Sequence, residues 1–260
     1  MTKKHIIITG AAGFVGKFLS ENLANNNFSL ILIDKNKKKL MDLKKKLTRI
    51  NKFSTLYFFY KDITKENNLI NILSFLKKRN ILVTALINNA AIDAKPKKEK
   101  IDNKYLTKKE WDTEISVGLT GSYLMIKYFG EHMYNQKKGR IINIGSDLSV
   151  ISPNQQIYKK GYKNYYKPAS YSAIKHGLLG LTKYFSTLYA ENGITCNMIS
   201  PGPILNDQSA NLIKNLKKIT PMKRLANRSD LIGIINYLLA ENSGFITGQN
   251  IIIDGGRTTI

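Results

Sequence analysis

Seven short apolar runs, each trailed by a longer amphipathic one, constrain this chain more than any other feature. The runs occupy 5–9, 29–34, 55–60, 85–88, 140–145, 195–200 and 250–254. Between and after them, at 16–25, 37–50, 65–77, 108–135, 172–191, 210–218 and 228–239, lie amphipathic segments with the character of helices. Strand followed by helix, repeated, is the sequence form of βαβ units, whose crossover helices cover both faces of a parallel sheet. The expected fold class is therefore α/β, a three-layer doubly wound parallel sheet of about seven strands. A chain of 260 residues at 43% hydrophobic content can bury one large core. No composition break or internal repeat marks a linker, so a single domain over 1–260 is expected. Two stretches fit no regular element: a Lys-rich connection at 92–106, and 148–170, full of Tyr, Lys, Gly and Pro. Loops of that length usually serve function or lack structure.

Charge is the second constraint. With 41 Lys and Arg against 18 Asp and Glu, the net charge of +23 suggests an anionic partner such as nucleic acid. The lysines, however, are dispersed along the chain and mixed with Asn and Ile, which is the residue usage an AT-rich genome writes onto solvated faces. No nucleic-acid role is expected. The longest apolar runs are strand-sized, far short of the roughly 20 residues that cross a bilayer. No signal-peptide pattern is seen near the start, so a cytoplasmic location is expected. Cys196 has no cysteine partner and lies in an apolar strand, where it reads as a buried structural thiol. His5, His132 and His176 have no ligand partners at metal spacing, so no metal is expected. Met133 and Met198 read as core filling.

Directly after the first strand comes Thr9-Gly10-Ala11-Ala12-Gly13-Phe14-Val15-Gly16, then a helix. Glycines suit a backbone that turns tightly and approaches a pyrophosphate, whose charge meets free N–H groups at the helix N-terminus. The strand before and helix after make Gly10, Ala12, Gly13, Phe14, Val15 and Gly16 candidate dinucleotide-binding residues. Asp34 ends the second strand, where a carboxylate can accept hydrogen bonds from the adenosine ribose hydroxyls. That favours NAD over NADP, although Lys35 beside it could instead attract a 2′-phosphate.

Four further motifs follow in order: Asn88-Asn89-Ala90-Ala91, Asn143-Ile144-Gly145-Ser146, Tyr171-Ser172-Ala173-Ile174-Lys175, and Ser200-Pro201-Gly202-Pro203-Ile204, with Asp254-Gly255-Gly256 after the last strand. Together with the glycine loop they resemble the compact short-chain dehydrogenase/reductases, with their Rossmann fold, over essentially the whole chain. Tyr171 and Lys175 are four apart on a helix and share a face, so the ammonium can favour phenolate. Bringing a phenol from about 10 toward 7 needs roughly 4 kcal/mol. Tyr171 would then serve as general base in alcohol oxidation or general acid in carbonyl reduction. The resemblance implies that Ser146 polarises the substrate oxygen and that Lys175 also binds the nicotinamide ribose. It implies too that Asn89 and Ala90 pass beside the cofactor, that Asp62 and Ile63 frame the adenine, and that Pro201, Gly202 and Ile204 lie near the carboxamide end.

The chain departs from that pattern in three places. Its glycines are spaced as in the extended branch that modifies nucleotide sugars, although it is too short for that branch's extra domain. Gly118 stands where the compact family has an Asn that completes a water relay behind the lysine. Ser146 and Tyr171 are 25 positions apart, about twice the family's usual spacing. Long insertions cost little loop entropy, but this one is rich in aromatic and basic residues: Tyr158, Lys159, Lys160, Tyr162, Lys163, Tyr165, Tyr166 and Lys167. Aromatic faces stack on sugar rings or bases, and lysines meet phosphate or carboxylate. The segment Gly145–Pro153 resembles a subgroup linked to bacterial flagellin modification and surface-sugar biosynthesis. The expected function is an NAD(P)-dependent oxidoreductase interconverting a secondary alcohol and a ketone, on a small sugar-derived and in part anionic substrate. A catalytically weak cofactor-binding protein and a sugar-nucleotide epimerase or dehydratase are the competing readings. The resemblance also implies a homotetramer or homodimer.

Overall fold

The computed structural model describes residues 5–50, 54–92, 104–161 and 165–260. Most of the Lys-rich connection, together with Tyr162, Lys163 and the side chains of Lys159 and Lys160, lies outside the described residues. The strands are β1 (His5–Thr9), β2 (Ser29–Asp34), β3 (Leu56–Tyr60), β4 (Val83–Asn88), β5 (Gly139–Ile144), β6 (Ile194–Pro201) and β7 (Asn250–Ile253). They form one parallel sheet in the order β3-β2-β1-β4-β5-β6-β7. The order reverses between β1 and β4, and in open α/β sheets such a switch point opens a crevice at the carboxyl ends of the strands.

Alternation along the strands builds a core on each face. On one side Ile6, Ile8, Leu30, Leu32 and Ile87 pack against α1 (Phe14–Asn25), α2 (Lys37–Ile50) and α10 (Ile232–Leu239). On the other, Ile7, Ile31, Ile33, Leu86 and Ile141 meet α3 (Glu66–Lys78), the helical run 108–135 and α8 (Ala169–Leu188). The three layers are those expected from the sequence. Cys196 is fully buried on the second face, where desolvation pushes its thiol well above the ordinary range. That environment suits a structural thiol. Among the described residues, no helix is long and apolar enough to cross a membrane.

The run 108–135 starts at a capping box: Thr107 Oγ1 accepts from the Glu110 N–H at 3.2 Å, and Glu110 Oε2 accepts from the Thr107 N–H at 2.9 Å. It comprises α4 (Lys108–Ile115), α5 (Gly121–Met125) and α6 (Glu131–Asn135), joined by π-turns at Ser116–Thr120 and Ile126–Gly130. The insertion, which has the sequence character of an irregular loop, carries a helix of its own, α7 (Gln155–Gly161). This helix packs on α9 (Ala210–Lys218), and Ile157, Tyr158 and Tyr165 join Leu212, Leu216 and Leu225 in a separate apolar cluster.

Candidate active site

A cavity of about 1210 Å³ runs along the carboxyl ends of the strands. Its first wall is the loop after β1. Thr9 Oγ1 accepts from the Asn89 and Ala90 N–H groups at 3.0 and 3.1 Å, fastening the end of β1 to the end of β4. Gly10 turns the chain at φ +60, and a Cβ there would sit 2.8 Å from the Ala90 Cα, so only glycine fits. Gly13 caps α1 without any side-chain hydrogen bond, which leaves the helix end presented by backbone alone. Gly10, Ala12, Gly13, Phe14 and Val15 line the cavity. Gly16, the remaining glycine of the loop, is not among the residues that line the cavity. It packs inward against the Gly10 carbonyl, only 2.1 Å from where a Cβ would stand, so its glycine serves close packing between the loop and α1.

Asp34 reaches back across this loop. One carboxylate oxygen accepts from the Ala12 N–H at 2.9 Å and the other from the Asn36 N–H at 2.8 Å. Each oxygen keeps lone-pair capacity for a further donor. Lys35 and Lys39 line the same end of the cavity, so both signs of charge meet there. Asp62 and Ile63 are also in the lining, with Asp62 Oδ1 held by the Thr64 N–H and hydroxyl at 2.9 and 2.8 Å. Asn89, Ala90, Pro201, Gly202 and Ile204 also line the cavity. A backbone cradle that tolerates no Cβ and an uncapped helix N-terminus, with a carboxylate set at the end of β2, fit a bound dinucleotide.

At the other end, Ser146, Tyr171 and Lys175 share the cavity. Lys175 is 5% exposed, and its ammonium donates to the Ile144 carbonyl at 2.9 Å while standing 5.6 Å from the Tyr171 ring centroid. Beneath them a buried polar chain ties β4 to β5 and α8. Asn88 Nδ2 donates to Asn143 Oδ1, and Asn143 Nδ2 donates to Thr182 Oγ1, both at 2.9 Å. Gly118 stands behind the lysine helix, where a Cβ would come within 2.8 Å of Ile174 Cγ2. The space an asparagine side chain would need at 118 is thus taken by isoleucine.

The structure adds an ion pair that sequence reasoning missed and a contact for a lysine it had singled out. Ser146, itself buried, donates its hydroxyl to Asp147 Oδ1 at 2.9 Å, and Asp147 Oδ2 receives Arg257 Nη1 at 2.5 Å. Both charged side chains are 3% exposed. Burial pushes the Asp147 carboxyl up, and Arg257 and the Ser146 hydroxyl oppose that rise. The pair is separated by 110 positions, so no local pattern could reveal it. The lysine is Lys167 of the insertion, whose ammonium lies 3.8 Å from the Tyr171 ring centroid.

The chain is similar to known proteins over nearly its whole length. Residues 10–258 match the family model described as enoyl-(acyl carrier protein) reductase. A 3-oxoacyl-(acyl-carrier-protein) reductase of Buchnera aphidicola subsp. Baizongia pistaciae is 32% identical over 263 residues, covering 98% of this chain and 97% of its own. An NAD-dependent glycerol dehydrogenase of Listeria innocua is 28% identical over 263 residues, 99% of this chain and 95% of that one. Among solved structures, a short chain dehydrogenase of Leptospira borgpetersenii with bound NAD+ superposes with a TM-score of 0.82 at 29% identity, covering 99% and 94% of the two chains. With glycine loop, lysine and tyrosine gathered on one cavity and a match running nearly end to end, this chain belongs to the short-chain dehydrogenase/reductase family of oxidoreductases.

Proposed function

We propose that the protein interconverts a secondary alcohol and a ketone on a small, sugar-derived substrate, with NAD as the preferred cofactor. The observation that carries this reading is the buried Lys175 ammonium, tied to the Ile144 carbonyl and facing the Tyr171 ring in the cavity that the glycine loop also lines. A nicotinamide dinucleotide would be held by Gly10, Ala12, Gly13, Phe14 and Val15 at its pyrophosphate. Asp34 would take the adenosine ribose, Asp62 and Ile63 the adenine, and Asn89, Ala90, Pro201, Gly202 and Ile204 the remaining length. When bound, the nicotinamide supplies the hydride donor or acceptor.

The chain's own residues handle the proton. Tyr171 removes it from an alcohol, or gives it to a forming alkoxide, and Lys175 stabilises the phenolate between those events. Ser146 holds the substrate oxygen. Asp34 supports NAD because a carboxylate accepts from ribose hydroxyls and repels a 2′-phosphate. Tyr158, Tyr165, Asn206 and Gln208 in the lining support a polyhydroxylated substrate. We assign the chain to the flagellin-modification and surface-sugar subgroup on the segment Gly145–Pro153. We further read it as one domain with a substrate-side insertion at 148–170, acting in the cytoplasm as a homotetramer or homodimer.

The test is to titrate the purified protein with NADH and NADPH, then follow nicotinamide absorbance against polyols, sugars, amino sugars and nucleotide sugars. Tyr171→Phe should bind cofactor normally and lose about 10²- to 10⁴-fold in turnover, as expected for removal of a general acid or base. Absence of cofactor binding would sink the proposal. Conversion of a nucleotide sugar with no net change in absorbance would mean that hydride returns to the same substrate, and would make the protein an epimerase or dehydratase instead.

A further inference from the structure

Two cations stand over the Tyr171 ring. The one farther from the ring, Lys175 at 5.6 Å from the centroid, is placed by the helical spacing of α8. The closer one, Lys167 at 3.8 Å, comes from the insertion. It precedes Pro168, the extended N-cap residue of α8, so the regular geometry of the helix does not fix it. Gln155 does. Its side-chain amide donates to the Lys167 carbonyl at 3.0 Å and its amide oxygen accepts from the Lys167 N–H at 2.9 Å. This two-point clamp holds the backbone of the lysine from both sides. Gln155 is the first residue of α7, and α7 is seated on α9 through Ile157 and Tyr158 against Leu212 and Leu216.

We infer that Lys167 is a second positioning residue for proton transfer: its ammonium over the ring face favours the Tyr171 phenolate, and the inserted helix holds it there through Gln155. The inference rests on the reading of Tyr171 as the proton carrier. A cation over an aromatic face is attracted by the neutral ring and more strongly by the ring's anion, so the effect differs between the two protonation states. Among the described residues, other charged or titratable groups lining this end of the cavity come from several elements: Lys175 from α8, Asp147 with Arg257 from the β5 loop and the C-terminal turn, Asp207 from the loop after β6, and Tyr158 and Tyr165 from the insertion. Glu114 on α4 lies behind, accepting from the Ser170 hydroxyl beside Tyr171. All of these remain present when Lys167 alone is replaced, and Lys167→Arg controls for effects passed through them.

The experiment is a pH titration of tyrosinate absorbance on the purified full chain, with Tyr171→Phe subtracted to remove the other tyrosines. Lys167→Met should raise the midpoint assigned to Tyr171 by about one pH unit, roughly tenfold less phenolate at a given pH. Lys167→Arg should keep the wild-type midpoint, and Gln155→Ala should shift it in the same direction by less. An unshifted midpoint in Lys167→Met overturns the inference, as does an equal shift in Lys167→Arg, which would mean that packing and not charge is responsible. A rise in KM with an unchanged midpoint would also overturn it, in favour of a lysine that grips an anionic substrate. Turnover by Tyr171→Phe separates the two levels. If that variant remains active, the reading of Tyr171 itself fails; if it is inert and the Lys167→Met midpoint is unmoved, only the role of Lys167 fails.

Discussion

Burying Asp147 and Arg257 together strips water from two charges, and their attraction offsets that loss only while both are present. Removing one partner leaves the other ionised and buried, so Arg257→Met should cost about 3 to 5 kcal/mol of stability at neutral pH. The carboxyl is already held above its ordinary range by desolvation, and Arg257 is among the groups that oppose the rise. Without the arginine its folded-state pKa goes higher still. A carboxyl raised on folding contributes stability below its unfolded pKa and loses it as pH rises through the folded value. The Arg257→Met deficit should therefore shrink at pH 4 to 5 and grow at pH 7 to 8, and Asp147→Leu added to it should recover most of the loss. Denaturant unfolding of the two variants across that range checks this, and a pH-independent deficit would sink it. Tyr171, Lys175 and the glycine loop could be read from local spacing because their partners lie within a turn or at a chain reversal. The Asp147–Arg257 pair could not, because only the finished sheet brings β5 and the C-terminal turn together. Gly118 shows the intermediate case: the missing asparagine was visible, whereas the Ile174 methyl that occupies its space was not.

At the scale of elements, strand alternation and helical periodicity were strong enough to fix seven strands and the helices between them; β1, β2, α2 and α9 have the expected bounds, and the other ends fall within four residues. What escaped was shorter than a period. Helix α7 is only seven residues long and its interior contacts are Ile157 and Tyr158, too few for a recurring face. The two π-turns within 108–135 leave the apolar pattern unbroken and so leave no trace in it. Because α7 and α9 share a cluster separate from the two main cores, they should open as a unit without unfolding the sheet. Leu216, 2% exposed, anchors that cluster. Leu216→Ala should lose about 2 to 5 kcal/mol of local stability, the usual range for a large-to-small core change. Native-state hydrogen exchange over 155–161 and 210–218 should accelerate, with KM for substrate rising and NADH affinity nearly unchanged. Equal acceleration across β1 and β4 would show that the cluster belongs to the global core.

For the whole molecule, composition was the least informative observation: a net charge of +23 says how the surface is painted and nothing of which groups meet at the switch point. The sheet order says more. The cradle is assembled from β1, β2 and β4, whose ends are cross-linked by Thr9, Asn89 and Asp34. A dinucleotide seated there contacts both sides of the strand reversal, so its binding free energy should appear as stability of the entire fold and not of one loop. At a free concentration 100 times its dissociation constant, a ligand that binds only the native state adds about 2.7 kcal/mol. For a chain of this size that corresponds to a rise in Tm of roughly 5 to 10 °C. On the proposed reading of Asp34 as the ribose acceptor, NADH should give that rise at lower concentration than NADPH, with repulsion of a 2′-phosphate by its carboxylate set against attraction by Lys35 and Lys39. Asp34→Asn keeps one acceptor, for the Ala12 or the Asn36 N–H, but removes the charge, so it should narrow the gap between the two cofactors, with the unliganded Tm of each protein as the baseline. The measurement is a thermal melt of wild type and Asp34→Asn across a titration of each cofactor. A larger shift with NADPH in the wild type would assign that end of the cavity to the lysines and reverse the cofactor preference.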